Sequence, residues 1–196
     1  MSFISTTIYM VLGTVILVDI YLIVKFIEYV YCANIRHQPP FVPSPNKLRH
    51  LVVQEIALNY PDAKNICELG SGFGGLARMI AQKQQANVYA LENMPFSVFI
   101  SKLCDFLTGC KNNKTIHCDI FDYLEKTNIH FDIAIAYLSP SMTPRIQKYR
   151  KKIDVLISLD FEIPGITPKR IIELKHGYTI YNKIKYPHRL LVYEFK

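Results

Sequence analysis

Tryptophan is absent from this 196-residue chain, and cysteine occurs only at positions 32, 67, 104, 110 and 118. No two of the cysteines form a CxxC pair. Their odd number and scattered spacing argue against a disulfide framework and against a zinc site. Three of them lie within apolar runs, as packing residues do. No positive charge precedes the first apolar run and no small-x-small site closes it, which argues against a cleaved signal peptide. There is no internal repeat, no low-complexity tract and no RNA- or DNA-binding signature. Half of the residues are hydrophobic and 12% are aromatic, so one sizeable core can be buried without tryptophan.

What the chain does have begins at its front. From Ile8 to Val24 the only charged residue is Asp19, and apolar character continues, with Lys25 and Glu28, to Ala33. That is about the 20 residues a helix needs to span hydrocarbon. The alternative is a buried core helix of a soluble domain. Lys25, Arg36, Lys47 and Arg49 all follow the span, which predicts a single-pass membrane protein with its C-terminal part in the cytoplasm. Asp19 should snorkel or find a partner. Residues 1–40 carry two basic and two acidic groups, residues 41–140 nine of each, and residues 141–196 twelve basic and five acidic. The last 56 residues thus hold the whole net charge of +7, much of it in "RIQKYRKK", Arg145 to Lys152. A solvated face accounts for such a run, and attraction to anionic headgroups fits a domain beside a membrane. No nucleic-acid partner is expected.

After "PPFVPSP", a helical face is predicted over Asn46–Tyr60 from Leu48, Leu51, Val52, Ile56 and Ala57, with Asn46 as a possible cap. Strand-like runs then alternate with helical patterns. "NICELG" reads as a strand, followed by helix 75–85, strand "NVYALE" and helix 95–108. Strands "TIHCDIF" and "FDIAIAYL", helix 142–151 and strand "DVLISLDFEI" come next. This alternation implies a parallel sheet covered by helices on both faces. "YTIYNKIKY" and "RLLVYEF", separated only by Pro187 and His188, should instead form an antiparallel hairpin.

The chemistry is carried by "CELGSGFGGL", Cys67 to Leu76, where a strand enters a tight turn and a helix leaves. Glycines permit positive φ and close approach of a ligand to the backbone, and the helix N-terminus offers free N–H groups. Gly70, Gly72 and Gly75 fit the dinucleotide spacing G-x-G-x-x-G. Gly70, Gly72 and Gly74, with Glu68 two residues before them, fit the E/D-x-G-x-G-x-G turn of S-adenosylmethionine (SAM) enzymes. An acidic residue there suits a cofactor bearing an ammonium group and is unhelpful beside a pyrophosphate. Glu92, at the end of the second strand, can accept hydrogen bonds from ribose hydroxyls. Asp119 stands where SAM enzymes place a group against the adenine amine. These features and the terminal hairpin favour SAM over a nicotinamide or flavin nucleotide. Plainer roles exist for each: Glu68 could pair with Lys47, Lys64 or Arg78, Glu92 could be an ordinary strand-end carboxylate, and Asp119 or Asp122 could cap the next segment.

Taken together, "PPFVPSP", "ELGSGFGG", "LEN" (Leu91 to Asn93), "YLSPSM" (Tyr137 to Met142) and "FEIPGITP" (Phe161 to Pro168), behind an apolar N-terminus, resemble one family. It is that of the membrane-anchored lysine methyltransferases of the ATP synthase c subunit and the adenine nucleotide translocase, with their prokaryotic relatives. The chain departs from that family at Phe73 and Gly75, where Asp and Arg are usual, and at Ile166, where an aromatic is usual. The resemblance implies an α/β, Rossmann-like class I methyltransferase. Its mostly parallel seven-stranded sheet would end in an antiparallel hairpin, behind a transmembrane helix. It divides the chain into an anchor (1–34), a proline-rich linker with its leading helix (35–60) and a SAM-dependent domain (61–196). Cofactor-binding residues would be Glu68, Gly70, Ser71, Gly72, Gly74, Glu92, Asn93, Asp119 and Ile120. Phe41 and Pro43 would fold back over the cofactor mouth. The acceptor would be a lysine of a membrane-associated protein. A small or lipidic acceptor, or an inactive scaffold that binds membrane or protein, are the competing readings. The fourth strand ends at "AYLSP" without the Asn/Asp-Pro-Pro-Tyr motif of many nitrogen methyltransferases. Tyr137 is the candidate for orienting the acceptor, with Ser139 behind it and Glu162 as a weaker candidate for holding an ammonium.

Overall fold

The computed structural model describes residues 3–31 and 42–196, and contacts divide the chain into two units after Val42. In the first unit, helix α1 runs from Phe3 to Tyr31. Its window Thr7–Val24 has mean hydropathy 2.2 and no buried residue, so the helix is long and apolar enough to cross a membrane. Thr14 turns its hydroxyl back onto the Met10 carbonyl at 2.9 Å, which hides a polar group an apolar surrounding would penalise.

The second unit opens with α2 (Asn46–Asn59). Leu48, Val52 and Ile56, at i, i+4 and i+8, are fully buried in one cluster with Leu76, Ala77 and Ile80. Asn46 is the first helical residue rather than a cap. Pro45 holds the cap position in extended geometry, and its carbonyl accepts the Arg49 N–H at 3.1 Å.

Seven strands follow: β1 (Asn65–Leu69), β2 (Asn87–Glu92), β3 (Asn113–His117), β4 (Phe131–Ala136), β5 (Ile153–Leu159), β6 (Arg170–Tyr181) and β7 (Ile184–Glu194). They form one sheet in the order β3-β2-β1-β4-β5-β7-β6, parallel except where β7 pairs antiparallel with β5 and β6. Strands β1, β4 and β5 read as near-continuous buried runs because both faces are covered. Ile66 points into the cluster under α2 and α3 (Gly75–Lys83). Its neighbours Cys67 and Leu69 point into the opposite cluster, with Phe121 and Leu124 of α5 (Ile120–Lys126). Each such fully buried side chain is worth about 1.5–3 kcal/mol of transfer free energy. Helix α4 (Pro95–Leu107) is pinned to β3 through Asp105, which accepts from Arg78, from Asn113 Nδ2 at 3.0 and 2.9 Å and from Thr115 Oγ1 at 3.1 Å.

Three local expectations change. "TIHCDIF" is not one strand: β3 stops at His117, Asp119 Oδ1 accepts from the Phe121 and Asp122 N–H groups, and α5 starts there. The basic segment Thr143–Lys152 is 3-10 helix rather than α-helix. The hairpin is antiparallel as expected, but it turns at Asn182–Lys183, both at positive φ (48° and 65°), the geometry that matches strand twist. Pro187 therefore lies inside β7, opposite Tyr178 and beside a register shift, where its missing N–H is tolerated. Gly177 sits in that shift at φ +111°, and a Cβ there would lie 2.3 Å from His188 Cδ2.

Candidate active site

The sheet order reverses between β1 and β4, and the crevice beyond the carboxyl ends of those strands is where open α/β sheets take ligands. Leu69 pairs with Ala136 there. This places the glycine turn next to the segment Tyr137–Pro140.

The turn is built by its glycines, with Gly70, Gly72 and Gly74 at φ of 76°, 54° and 68°. The N–H groups of Gly70 and Ser71 both reach the Leu91 carbonyl at 2.9 Å, while Gly72 N–H reaches Glu92 Oε2 at 2.7 Å. Glu92 Oε1 accepts from the Asn93 and Met94 N–H groups, each at 2.8 Å. Glu92 is thus the clasp between the turn and the end of β2; Oε1 spends both lone pairs on these two bonds, while Oε2, with one donor, keeps acceptor capacity for a ligand hydroxyl. The Asn93 carbonyl lies 3.1 Å from His117 Nε2. Ser71 is 5% exposed, and its Oγ has no hydrogen-bond partner. A buried hydroxyl without a partner costs about 1–3 kcal/mol. In a ligand-binding turn that cost is relieved by a polar group of the ligand, so this cradle fits a nucleoside cofactor.

Glu68 is buried and accepts the Ala77 N–H at 2.9 Å, so it faces the start of α3 and forms no ion pair with Lys47, Lys64 or Arg78. Burial pushes its carboxyl up to about 8, against the opposing effects of the Ala77 bond and the Arg49 guanidinium. Arg49 comes from α2 and is braced by Ser44 Oγ at 3.0 Å. A Cβ on Gly75 would lie 2.6 Å from its Nη1. The leading helix therefore reaches the glycine turn, and its Arg49 fills the space that a side chain at position 75 would need. Pro43 is exposed in the entry to α2, and Phe41 lies outside the described residues. Phe73 packs edge-on against Phe96, with ring centroids 6.3 Å apart. Asp119 spends Oδ1 on capping α5, and Ile120 is buried behind it. A pocket of about 380 Å³ beside Asp119 is lined by Cys118, Asp122, Tyr123, Lys126 and Thr127 and includes no residue of the glycine turn.

On the other side of the crevice, Tyr137 enters a polar chain that the sequence did not reveal. Its hydroxyl lies 2.6 Å from Thr179 Oγ1, and Thr179 donates to Asp160 Oδ2 at 2.7 Å. Asp160 is fully buried at φ 63° and also meets His188 Nδ1 at 3.0 Å and the Arg189 N–H at 3.1 Å. The direction of the chain is fixed. A carboxylate only accepts, so Thr179 spends its one hydrogen on Asp160 and must accept from Tyr137. Tyr137 therefore turns its own hydrogen inward and keeps its remaining lone pair for a donor arriving from outside. Burial pushes its hydroxyl up to about 12, with the Asp160 charge adding to the rise, so it stays protonated at neutral pH. Phe161 stacks on Tyr137 at 6.2 Å and meets Tyr181 and Tyr186 edge-on at 6.0 and 4.8 Å. The Ser139 hydroxyl lies 2.8 Å from Ser141 Oγ, and Glu162 is held by Arg189 at 2.9 Å. Ile166 packs against the core under α5.

This architecture is the Rossmann-like fold of class I methyltransferases, with the antiparallel hairpin at the sheet's edge. It is similar to that of an RNA methyltransferase from Salinibacter ruber in complex with S-adenosyl-L-homocysteine, at TM-score 0.64 and 17% identity over 79% of this chain and 94% of that one. A precorrin-6y C5,15-methyltransferase from Geobacter metallireducens superposes at TM-score 0.61 and 11% identity over 79% of this chain and 91% of the other. An rRNA methylase from Streptococcus thermophilus does so at TM-score 0.54 and 17% identity, over 79% and 98%. At these identities the likeness is one of fold. No protein-family model and no curated protein sequence matches the chain.

Proposed function

We propose that the protein is a SAM-dependent methyltransferase that acts on a lysine side chain of a membrane-associated protein. The observation that carries the reading is the pairing of two half-sites across the switch point. A glycine turn holds the buried, partnerless Ser71 hydroxyl, and facing it is a tyrosine whose hydroxyl is oriented by Thr179 and Asp160. SAM, when bound, supplies a methyl group on a sulfonium. Ser71 and the closely approachable backbone of Gly70, Gly72 and Gly74, with Glu68, Glu92, Asn93, Asp119 and Ile120, would hold it, with Glu68 supplying negative charge for an ammonium group.

The acceptor side fits a nitrogen donor. Tyr137 offers lone-pair density to an N–H group, and the rings of Tyr137 and Phe161 provide a face that favours a cation. The same partly desolvated surroundings lower the pKa of an amine, which releases the nucleophilic free base. The apolar α1 supports an anchor, and the lysine and arginine residues that follow it support a cytoplasmic domain. Proteins of similar fold include an RNA methyltransferase and a precorrin methyltransferase, so the acceptor class is the part to test. Methyl-labelled SAM incubated with the full chain and a membrane fraction should place label in a protein band, on lysine after hydrolysis. Label recovered in RNA, or extracted into organic solvent, would overturn the lysine reading. Absence of SAM binding by calorimetry at millimolar concentration would overturn the enzyme reading.

A further inference from the structure

Helix α4 is fastened on one side and bare on the other. Its inward side chains Ser97, Val98, Ser101 and Asp105 are buried, the last locked to Arg78, Asn113 and Thr115. Its outward residues are Phe99 (62% exposed), Leu103 (41%), Phe106 (82%) and Leu107 (71%), with Phe96 (36%), edge-on to Phe73, at the N-terminal end. At about 100° per residue these fall, with Pro95 and Lys102, within one arc of about 140°. Lys102 at the edge of the arc is its only charge, and Lys111 follows shortly after the helix end; both are exposed. Three phenylalanines and two leucines at i, i+3, i+7, i+10 and i+11 cannot be explained as core, because the core side of the helix is already complete. A continuous apolar face of this size on a rigid helix marks a surface that is covered in use.

We propose that this face of α4 rests in the headgroup–acyl boundary of a lipid bilayer. The inference rests on the reading of α1 as a membrane span. Only 14 residues separate Tyr31 from Asn46. At about 3.3–3.6 Å each they reach no more than about 50 Å, so a domain behind an inserted α1 is tethered within that distance of the bilayer. An aromatic-rich helical face with lysine at its border is the composition that binds such a surface, with apolar rings in the acyl boundary and ammonium groups among anionic headgroups. A second copy of the chain would gain nothing from Lys102 and Lys111, whereas anionic lipid would.

The missing tryptophan makes the test clean, since any Trp introduced into the full chain is the sole indole. Phe106→Trp is reconstituted in phosphatidylcholine–phosphatidylglycerol vesicles, with and without bromine on the acyl chains, beside Leu58→Trp on the exposed side of α2 and Leu12→Trp in α1. The expected result is blue-shifted emission from the 106 variant that brominated lipid quenches, with no quenching at 58. Unquenched emission at 106 overturns the proposal, and a blue shift without quenching assigns the face to a protein surface and overturns it equally. Leu12→Trp separates the two readings. If 12 is quenched and 106 is not, the span holds and the α4 proposal falls. If 106 is quenched and 12 is not, α4 meets lipid and the span reading falls.

Discussion

Replacing Asp160 by Asn should reverse the hydrogen-bond chain that ends at Tyr137. Asn is the appropriate change because it keeps the shape and tolerates the left-handed backbone at φ 63°. Its Oδ1 can still accept the Arg189 N–H. Its amide then faces Thr179 Oγ1 and His188 Nδ1, which become acceptors. Thr179 must now donate outward to Tyr137, and the Tyr137 hydrogen swings toward the crevice, where it repels an incoming N–H donor. A hydrogen bond to a charged group is worth about 1.5–3 kcal/mol and a neutral one about 0.5–1.5, so the fold should lose about 1–2 kcal/mol. A loss of similar size at the acceptor corresponds to a turnover about 5–30-fold lower. SAM affinity should stay unchanged, because none of these residues touches the glycine turn. Label incorporation at saturating SAM, calorimetric SAM titration and urea unfolding measure the three quantities on the same sample. Thr179→Val should show the same turnover defect and Thr179→Ser should recover it. Wild-type turnover in both Asp160→Asn and Thr179→Val would refute the reasoning, as would a defect in Thr179→Ser as deep as in Thr179→Val.

Ser71→Ala should weaken SAM binding about 10-fold while leaving unfolding free energy equal or slightly higher, because it removes a hydroxyl that has no protein partner. Glu68, with its carboxyl raised to about 8, is protonated in the folded apo-protein below that pH, and an ammonium-bearing ligand favours the ionised form. SAM affinity should therefore rise between pH 6 and 7.5, and Glu68→Gln should flatten that profile. The same shift makes folding strongest below the ordinary carboxylate range and progressively weaker toward pH 8, a slope that Glu68→Gln should also remove in urea titrations. Leu48→Ala should cost about 2–5 kcal/mol if α2 is core rather than linker, and a cost under about 1 kcal/mol would return α2 to the linker.

The glycine turn was legible because its signal is local: strand, closely spaced glycines and helix follow each other within a dozen residues, and their order suffices. The mostly parallel sheet and its antiparallel final pair were legible from alternation, since parallel strands need crossovers and only the last connection was too short for one. The Tyr137 chain was not legible, and the reason is register. Placing the hairpin turn at Pro187–His188 instead of Asn182–Lys183 would set Thr179 opposite Lys196, whereas the observed register sets it opposite Tyr186. Thr179 and His188 meet Asp160 only in the observed register. Helix α5 escaped because Ile120 and Phe121 favour strands, while the deciding contact is the Asp119 cap, one of two plausible uses of that carboxylate. The face of α2 was visible in its period, but not that Arg49 would cross to Gly75, a contact set by tertiary packing alone.

Strand β7 is inserted between β5 and β6, although β6 is made first. During synthesis β6 thus has no partner until β7 emerges, and Leu190, Leu191, Val192 and Tyr193 then complete both layers of the core. The cofactor half, β1 to β4, can assemble on the ribosome well before that moment. The Tyr137 half, which needs Thr179 and His188, cannot. A nascent or truncated chain could therefore hold a formed glycine turn and still be unable to place Tyr137. The order of translation separates the two half-sites in time, and β7 licenses the site as a whole.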